Sequence, residues 1–278
     1  MRTVIVRTLW GLVGVVTIVA AGIAGTRLIV SAGVSWHDTH AEPTRTFTVA
    51  GPVTSVTVRS YGDDVSVTTA DVRQVRVTER LEWDLPESGA PPLEQTVSHG
   101  HLSLGDPACD DGDHNCDVSY AVIVPPGVSA AVDSYGGNVT VSGTAGTDVD
   151  SDGGSVTATR IAGPLTVATG GGDLRVTGLT GPLSADTDGG SVTARGVTTT
   201  TAAITTAGGD ATVVFVASPD SVTVSTDGGS AALSVPGGPY ALTANDDQGG
   251  TWAGIPTNAS ARRVISVSTG GGPIQIRP

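Results

Sequence analysis

Leu165 to Ala194 reads LTVATGGGDLRVTGLTGPLSADTDGGSVTA, and this stretch decides the fold. Two apolar alternations, Leu165-Thr166-Val167 and Leu174-Arg175-Val176, flank a run of glycines. The arrangement returns as Leu183-Ser184-Ala185, Gly189-Gly190 and Val192-Thr193-Ala194. Alternation of period two marks half-buried strands. Outward from here, Gly-Gly pairs recur with their second glycine at 137, 154, 172, 190, 209, 229, 250 and 272, at intervals of 17, 18, 18, 19, 20, 21 and 22 residues. Such a period is an internal repeat: strand, Gly-Gly corner, strand, looser turn. Glycine is expected at the corner because it takes positive φ without steric cost.

An antiparallel meander and a wound solenoid both fit this unit, and the position two before each Gly-Gly pair separates them. It holds Ser134, Ser151, Thr169, Thr187, Thr206, Thr226, Asp247 and Thr269, with the parity of Leu183 and Ala185, so it should point inward. A buried hydroxyl needs a hydrogen-bond partner. Stacking like on like at about 4.8 Å supplies one, from neighbours or from the corner backbone. A meander would scatter the column. The expected fold is therefore all-β, a parallel β-helix-like solenoid of short strands with Gly-Gly corners, preceded by one N-terminal transmembrane helix. The open sheet edge is expected at Ile274-Gln275-Ile276, blunted by Pro273, Arg277 and Pro278.

Composition agrees with a thin core: 39 glycines among 278 residues, and only 2 Phe, 4 Trp and 4 Tyr. The formal net charge of −13 argues against nucleic acid and against anionic headgroups as partners. At the N-terminus, Arg2 and Arg7 precede an apolar run that begins at Leu9 and resumes after Arg27. Trp10 and Trp36 frame a length of about 39 Å as helix, close to a bilayer with its headgroups. This predicts a cytoplasmic tail over 1–8, a membrane anchor over 9–36 and an exported remainder. Ala20-Ala21-Gly22 offers the competing signal-peptide reading. The remainder divides into a linker (37–46), irregular β coils with a cysteine loop (47–126) and regular repeats (127–278). Cys109 and Cys116 close a polar loop and are expected to form a disulfide in the exported compartment. With His114 they supply only three ligands for zinc.

Around the corners the acids alternate between two positions: Asp152, Asp188 and Asp227 precede the glycines, while Asp173 and Asp210 follow them. Staggering like charges explains the pattern. The sharper reading is a line of Ca²⁺ sites, although no repeat has the Gly-Gly-x-Gly-x-Asp pattern of calcium-binding β-helices. Otherwise neither cofactor nor metal is expected. The histidines His37, His40, His99, His101 and His114 all precede the regular repeats, so no base stands on the solenoid face. His99-Gly100-His101 reads first as two exposed polar residues in a turn; on alternate strand positions the pair could instead hold a metal. No serine sits in a Gly-x-Ser-x-Gly setting. The chain does not read as an enzyme.

The order of features carries a resemblance. A basic start and apolar span lead to His37-Asp38-Thr39-His40, then Val56-Thr57-Val58-Arg59-Ser60-Tyr61-Gly62-Asp63-Asp64-Val65-Ser66-Val67. Val77-Thr78-Glu79-Arg80-Leu81-Glu82-Trp83, the cysteine loop, Tyr120-Ala121-Val122-Ile123-Val124-Pro125-Pro126-Gly127 and the Gly-Gly repeats follow. It resembles the bacterial putative-adhesin family of unknown function, the β-strand-repeat group of GC-rich Gram-positive bacteria. The resemblance covers about 37–278 and implies a β-solenoid at the cell envelope, with no catalytic residues to transfer. The expected function is a non-enzymatic surface module contacting a protein or envelope partner. An accessory or sensor subunit of an envelope-response system, or a cation-dependent binder of wall polymers, are the alternatives.

Overall fold

The computed structural model describes residues 39–41, 44–84, 93–105 and 116–278. The expected anchor, Cys109 and the loop between the two cysteines lie outside the described residues. Among those described, no helix is long and apolar enough to cross a membrane.

Strands account for the architecture. The first group is β1 (Thr39–Ala41), β2 (Arg45–Thr48), β3 (Ser55–Ser60), β4 (Val65–Thr69), β5 (Arg76–Asp84), β6 (Glu94–Ser98), β7 (His101–Gly105) and β8 (Cys116–Val124). Next come β9 (Ser129–Ser134), β10 (Val139–Ser142), β11 (Thr147–Ser151), β12 (Val156–Ile161), β13 (Leu165–Thr169) and β14 (Leu174–Thr180). They continue as β15 (Leu183–Thr187), β16 (Val192–Thr198), β17 (Thr201–Thr206), β18 (Ala211–Phe215), β19 (Ser221–Thr226) and β20 (Ala231–Ser234). The last are β21 (Ala241–Asp246), β22 (Thr251–Ala253), β23 (Val264–Thr269) and β24 (Ile274–Arg277).

From β9 to β20 consecutive strands alternate between a 13-stranded and an 11-stranded sheet. From β11 onward each pairs in parallel with the strand two before it, as Leu165↔Leu183 and Leu174↔Val192 show. The antiparallel meander is excluded for these repeats. A layer is one strand of each sheet in succession. Inward residues of successive layers stack in columns, for example Val67, Val141, Ala158, Val176, Ala194, Val213, Leu233 and Ile276 in the larger sheet. All of these are buried. Fully burying one Val or Leu side chain contributes about 1.5–3 kcal/mol, and an isolated two-strand layer has nothing to bury it against. Glu79 breaks the polar-out rule: it shares the inward parity of Val77 and Leu81 and is buried. Burial raises its pKa above the usual carboxylate range, and Arg45 partly opposes the shift.

At Gly137, Gly154, Gly172, Gly190, Gly209, Gly229 and Gly272 the second glycine of the corner does not serve positive φ, contrary to expectation; Gly250, at φ 78°, does. The other left-handed glycines lie elsewhere, at Gly143, Gly178 and Gly196 for instance. A Cβ on Gly154, Gly172, Gly190, Gly209 or Gly229 would instead collide with the carbonyl of the same glycine one layer earlier. The first glycine is less constrained: a Cβ at Gly189 would have its nearest neighbour at 3.7 Å.

Layer order departs from chain order at both ends. The larger sheet runs β8-β4-β10 and ends β20-β24-β22, while the smaller runs β19-β23-β21 at one end and β9-β3-β7 at the other. The β3/β4 layer thus lies between β7/β8 and β9/β10, and the last layer in sequence, β23/β24, lies between β19/β20 and β21/β22. Two Pro-Gly segments, Pro125-Pro126-Gly127 and Pro236-Gly237-Gly238-Pro239, make the steps that pass over an inserted layer. The expected open edge at Ile274-Gln275-Ile276 is therefore corrected: β24 is paired on both sides, and β22 is the outer strand. Asp247 is also corrected. Asp246, not Asp247, pairs with Thr269, and Gly249 stacks on Gly272. A one-residue slip inverts side-chain parity, so Asp247 is exposed.

Two outcomes follow for variants. Gly190→Ala should destabilise by about 1–3 kcal/mol through forced layer separation, while Gly189→Ala stays within about 0.5 kcal/mol. Equal denaturation midpoints for the two would remove the close-approach argument. Deleting residues 264–278 should abolish amide-exchange protection over 241–253 and spare β9 to β18. Retained protection at 241–253 would mean that the outer layer docks without the inserted one.

Candidate functional site

The corners are polar and internally satisfied. Ser60, Ser134, Ser151, Thr169, Thr187, Thr206, Thr226 and Thr269 form one buried column, each in register with the next. Their hydroxyls bond the corner backbone and not one another. Thr187 Oγ1 donates to Gly190 O at 2.6 Å, Thr226 to Gly229 O at 2.6 Å and Thr269 to Gly272 O at 2.6 Å. The inward hydroxyls are thus structural.

Just past the glycines a second ladder runs outside. Asp64 Oδ1 accepts the Asn138 N–H at 2.8 Å and Asn138 Oδ1 that of Ser155 at 3.2 Å. Asp173 Oδ1 accepts the Ser191 N–H at 2.9 Å, Ser191 Oγ the Asp210 N–H at 3.2 Å, and Asp210 Oδ1 the Ser230 N–H at 2.7 Å. The next layer places Pro273 here, which has no N–H to offer. The five Ca²⁺ candidates divide accordingly. Asp173 and Asp210 belong to this ladder, and Asp152, Asp188 and Asp227 stand exposed before the glycines in alternate layers. Among the described residues, no group of three His, Cys, Asp or Glu side chains converges as a metal site. His99 lies in the turn between β6 and β7 at φ 52° and His101 opens β7, so the two do not alternate on one strand. Ser98 Oγ lies 2.8 Å from His99 Nδ1, and Ser55 Oγ lies 2.9 Å from His101 Nδ1.

The outward faces of the two sheets differ in charge, a feature the sequence reading missed. Between β9 and β19 the smaller sheet turns Asp133, Asp148, Asp150 and Asp186 outward and no base. Between β10 and β20 the larger sheet turns out Arg175 and Arg195, joined by Arg160 at the end of β12, and no acid. The signal was present in the repeat: acids sit in the strand before a corner, arginines in the strand after it. Recognising it requires knowing that those strands belong to different sheets.

At the outer C-terminal layer, Trp252 is 55% exposed, with the Arg277 guanidinium 6.0 Å from its ring centroid. A hollow of about 500 Å³ beside them is also lined by Thr251, Pro273 and Gln275. Asp246 holds the turn before Trp252. The Thr251 hydroxyl, then the Gly250 N–H at 2.8 Å, draw its carboxyl below the usual range.

With this geometry in view, the chain is similar in fold to a putative adhesin from Bacteroides fragilis. The two share 14% identity over 86% of this chain and 97% of that one, with a TM-score of 0.50. A putative adhesin from Parabacteroides distasonis aligns over 86% of this chain and 98% of its own at 12% identity, with a TM-score of 0.45. No family model matches the chain, and no curated protein matches it. At these identities the likeness is one of fold. The likeness to the Bacteroides fragilis protein does not carry the Gram-positive grouping.

The corner ladder has a measurable consequence. Asp210→Ala strips the Ser230 N–H of its acceptor and should lower stability by about 0.5–1.5 kcal/mol, whereas Asp188→Ala should be near neutral. The readout is the thermal midpoint of each variant in chelator. A larger loss for Asp188→Ala would reverse these roles.

Proposed function

We propose that the two parallel sheets are the walls of a continuous β-solenoid, and that this solenoid is a non-enzymatic, adhesin-like interaction module of the cell envelope. The apolar N-terminal segment tethers it to the membrane. The observation that carries the reading is the pair of outward faces, on which polar Thr and Ser side chains repeat at strand spacing over many layers, with Asp on one face and Arg on the other. Such a surface suits many weak polar contacts in parallel, whereas small-molecule and catalytic sites gather a few groups in a concave pocket. The corner hydroxyls and the acids at 173 and 210 are occupied with the backbone, which leaves the faces for contact. The name borne by the Bacteroides fragilis protein of similar fold points the same way.

Protease added to intact cells should cut the region 44–278 from outside. A strain lacking the protein should lose several-fold in attachment to surfaces or to other cells, and the full chain should restore it. Protection from external protease, or unchanged attachment in the deletion strain, would contradict the assignment.

A further inference from the structure

The opposed charges on the two faces have a feature that coil stability does not require. Asp133 and Asp150 are directly paired across neighbouring strands, and like charges in that position are destabilising. The corner acids avoid this arrangement by alternation, but the face does not. Asp148 lies two residues along the same strand, and the three carboxylates line a hollow of about 250 Å³ with Thr57, Ala131 and Thr166. Arg59 relieves Asp133, Nε to Oδ2 at 3.1 Å. Among the described residues, Asp148 and Asp150 have no ion-pair partner.

The opposite face mirrors the situation. Arg175 and Arg195 stand on adjacent strands, diagonal to one another, because Arg175 pairs with Thr193 and Thr177 with Arg195. Both are exposed, and among the described residues neither meets a carboxylate. Arg160 adds a third guanidinium at a conformational cost. It occupies the left-handed position that glycine holds in the neighbouring layers, with φ 54° beside 78°, 72° and 66° at Gly143, Gly178 and Gly196. A residue with a side chain is strained there, because its Cβ approaches the following carbonyl oxygen. Arg160 Nη2 donates to Ser142 Oγ at 2.9 Å, which aims it along the same face.

Acids and bases occupy the same part of the stack, from the β9/β10 layer to the β15/β16 layer. We propose that the chain associates laterally with a second copy of itself, the arginine face of one copy seated on the carboxylate hollow of the next. Around the charges the faces carry mostly Thr, Ser and Ala, short side chains that let two stacks approach closely. A face about 17 Å wide and ten layers, about 43 Å, tall offers roughly 700 Å² per copy, near the ~800 Å² of a standard interface. Net charge opposes association at long range, but a Debye length of about 8 Å at physiological salt screens charges beyond the contact. The contact is heterologous, two different patches meeting, so it extends into rows instead of closing at a dimer. This inference does not depend on an adhesive function.

The test uses the full chain in density-matched detergent, with self-association read by sedimentation equilibrium. Wild type should associate at physiological salt and weaken by at least about tenfold near 1 M salt, where a Debye length of about 3 Å screens the contact itself. R175E/R195E and D148R/D150R should each stay monomeric, with unchanged circular dichroism because the altered side chains are exposed. An equimolar mixture of the two should associate again, since each then offers the other a complementary face. A monomeric wild type, or a mixture that fails to associate, overturns the proposal. So does a monomeric wild type that binds Ca²⁺ through Asp148 and Asp150, or inorganic polyphosphate through Arg175 and Arg195.

Discussion

Contact between successive corner backbones sets the spacing of the regular layers. At Gly154, Gly172, Gly190, Gly209 and Gly229 the α-carbon of one layer lies against the glycine carbonyl of the layer before. A side chain there would hold neighbouring layers apart at one edge and break the parallel ladders on both sides of the corner. With the layers in contact, the strands flanking the corner can hydrogen-bond, and inward Val, Leu, Ile and Ala columns close into a core with few aromatic rings.

Tight corners crowd polar backbone groups, and two ladders of side chains satisfy them. Inside, Ser or Thr donates to a backbone carbonyl, in six of the eight layers that of the tight glycine three residues on. Outside, an Asp, Asn or Ser accepts the N–H of the next layer. The two ladders explain why such a small alphabet repeats around each corner, and they account for Asp173 and Asp210 without a cation. Acids and arginines on the sheet faces have no such task, which makes those faces the part of the surface free for contact.

The ends of the stack follow different rules from its middle. A layer inserted between two others pairs on both sides, whereas a terminal layer exposes one row of backbone groups. Here the layers nearest the chain ends, β3/β4 and β23/β24, are inserted. The β21/β22 layer is outermost, and its inward side chains are less completely buried than those of β23. At the opposite end β5 and β6 pair antiparallel outside β8 and β7, so the parallel ladder is covered by strands of opposite direction.

The strand–corner–strand unit, the parallel stacking and the buried hydroxyl column are legible in the residues alone, because each depends on local periodicity and on residue parity within one repeat. It also held a clue to layer order: Ser60 to Val67 echoes Ser134 to Val141, and these segments are neighbours in the stack, with Tyr61 and Tyr135 rings stacked at 4.2 Å. Chain order alone suggested a simple succession, so the insertion of β23/β24 and the one-residue slip at Asp246 were not foreseen. Both are settled by pairing between strands far apart in sequence, where the energy of filling an open edge outweighs proximity along the chain. The glycine requirement was legible as a pattern but not as a cause, since the colliding atom belongs to another layer. The separation of acids from arginines was likewise decided by tertiary structure: whether two outward side chains share a surface depends on which sheet their strands join.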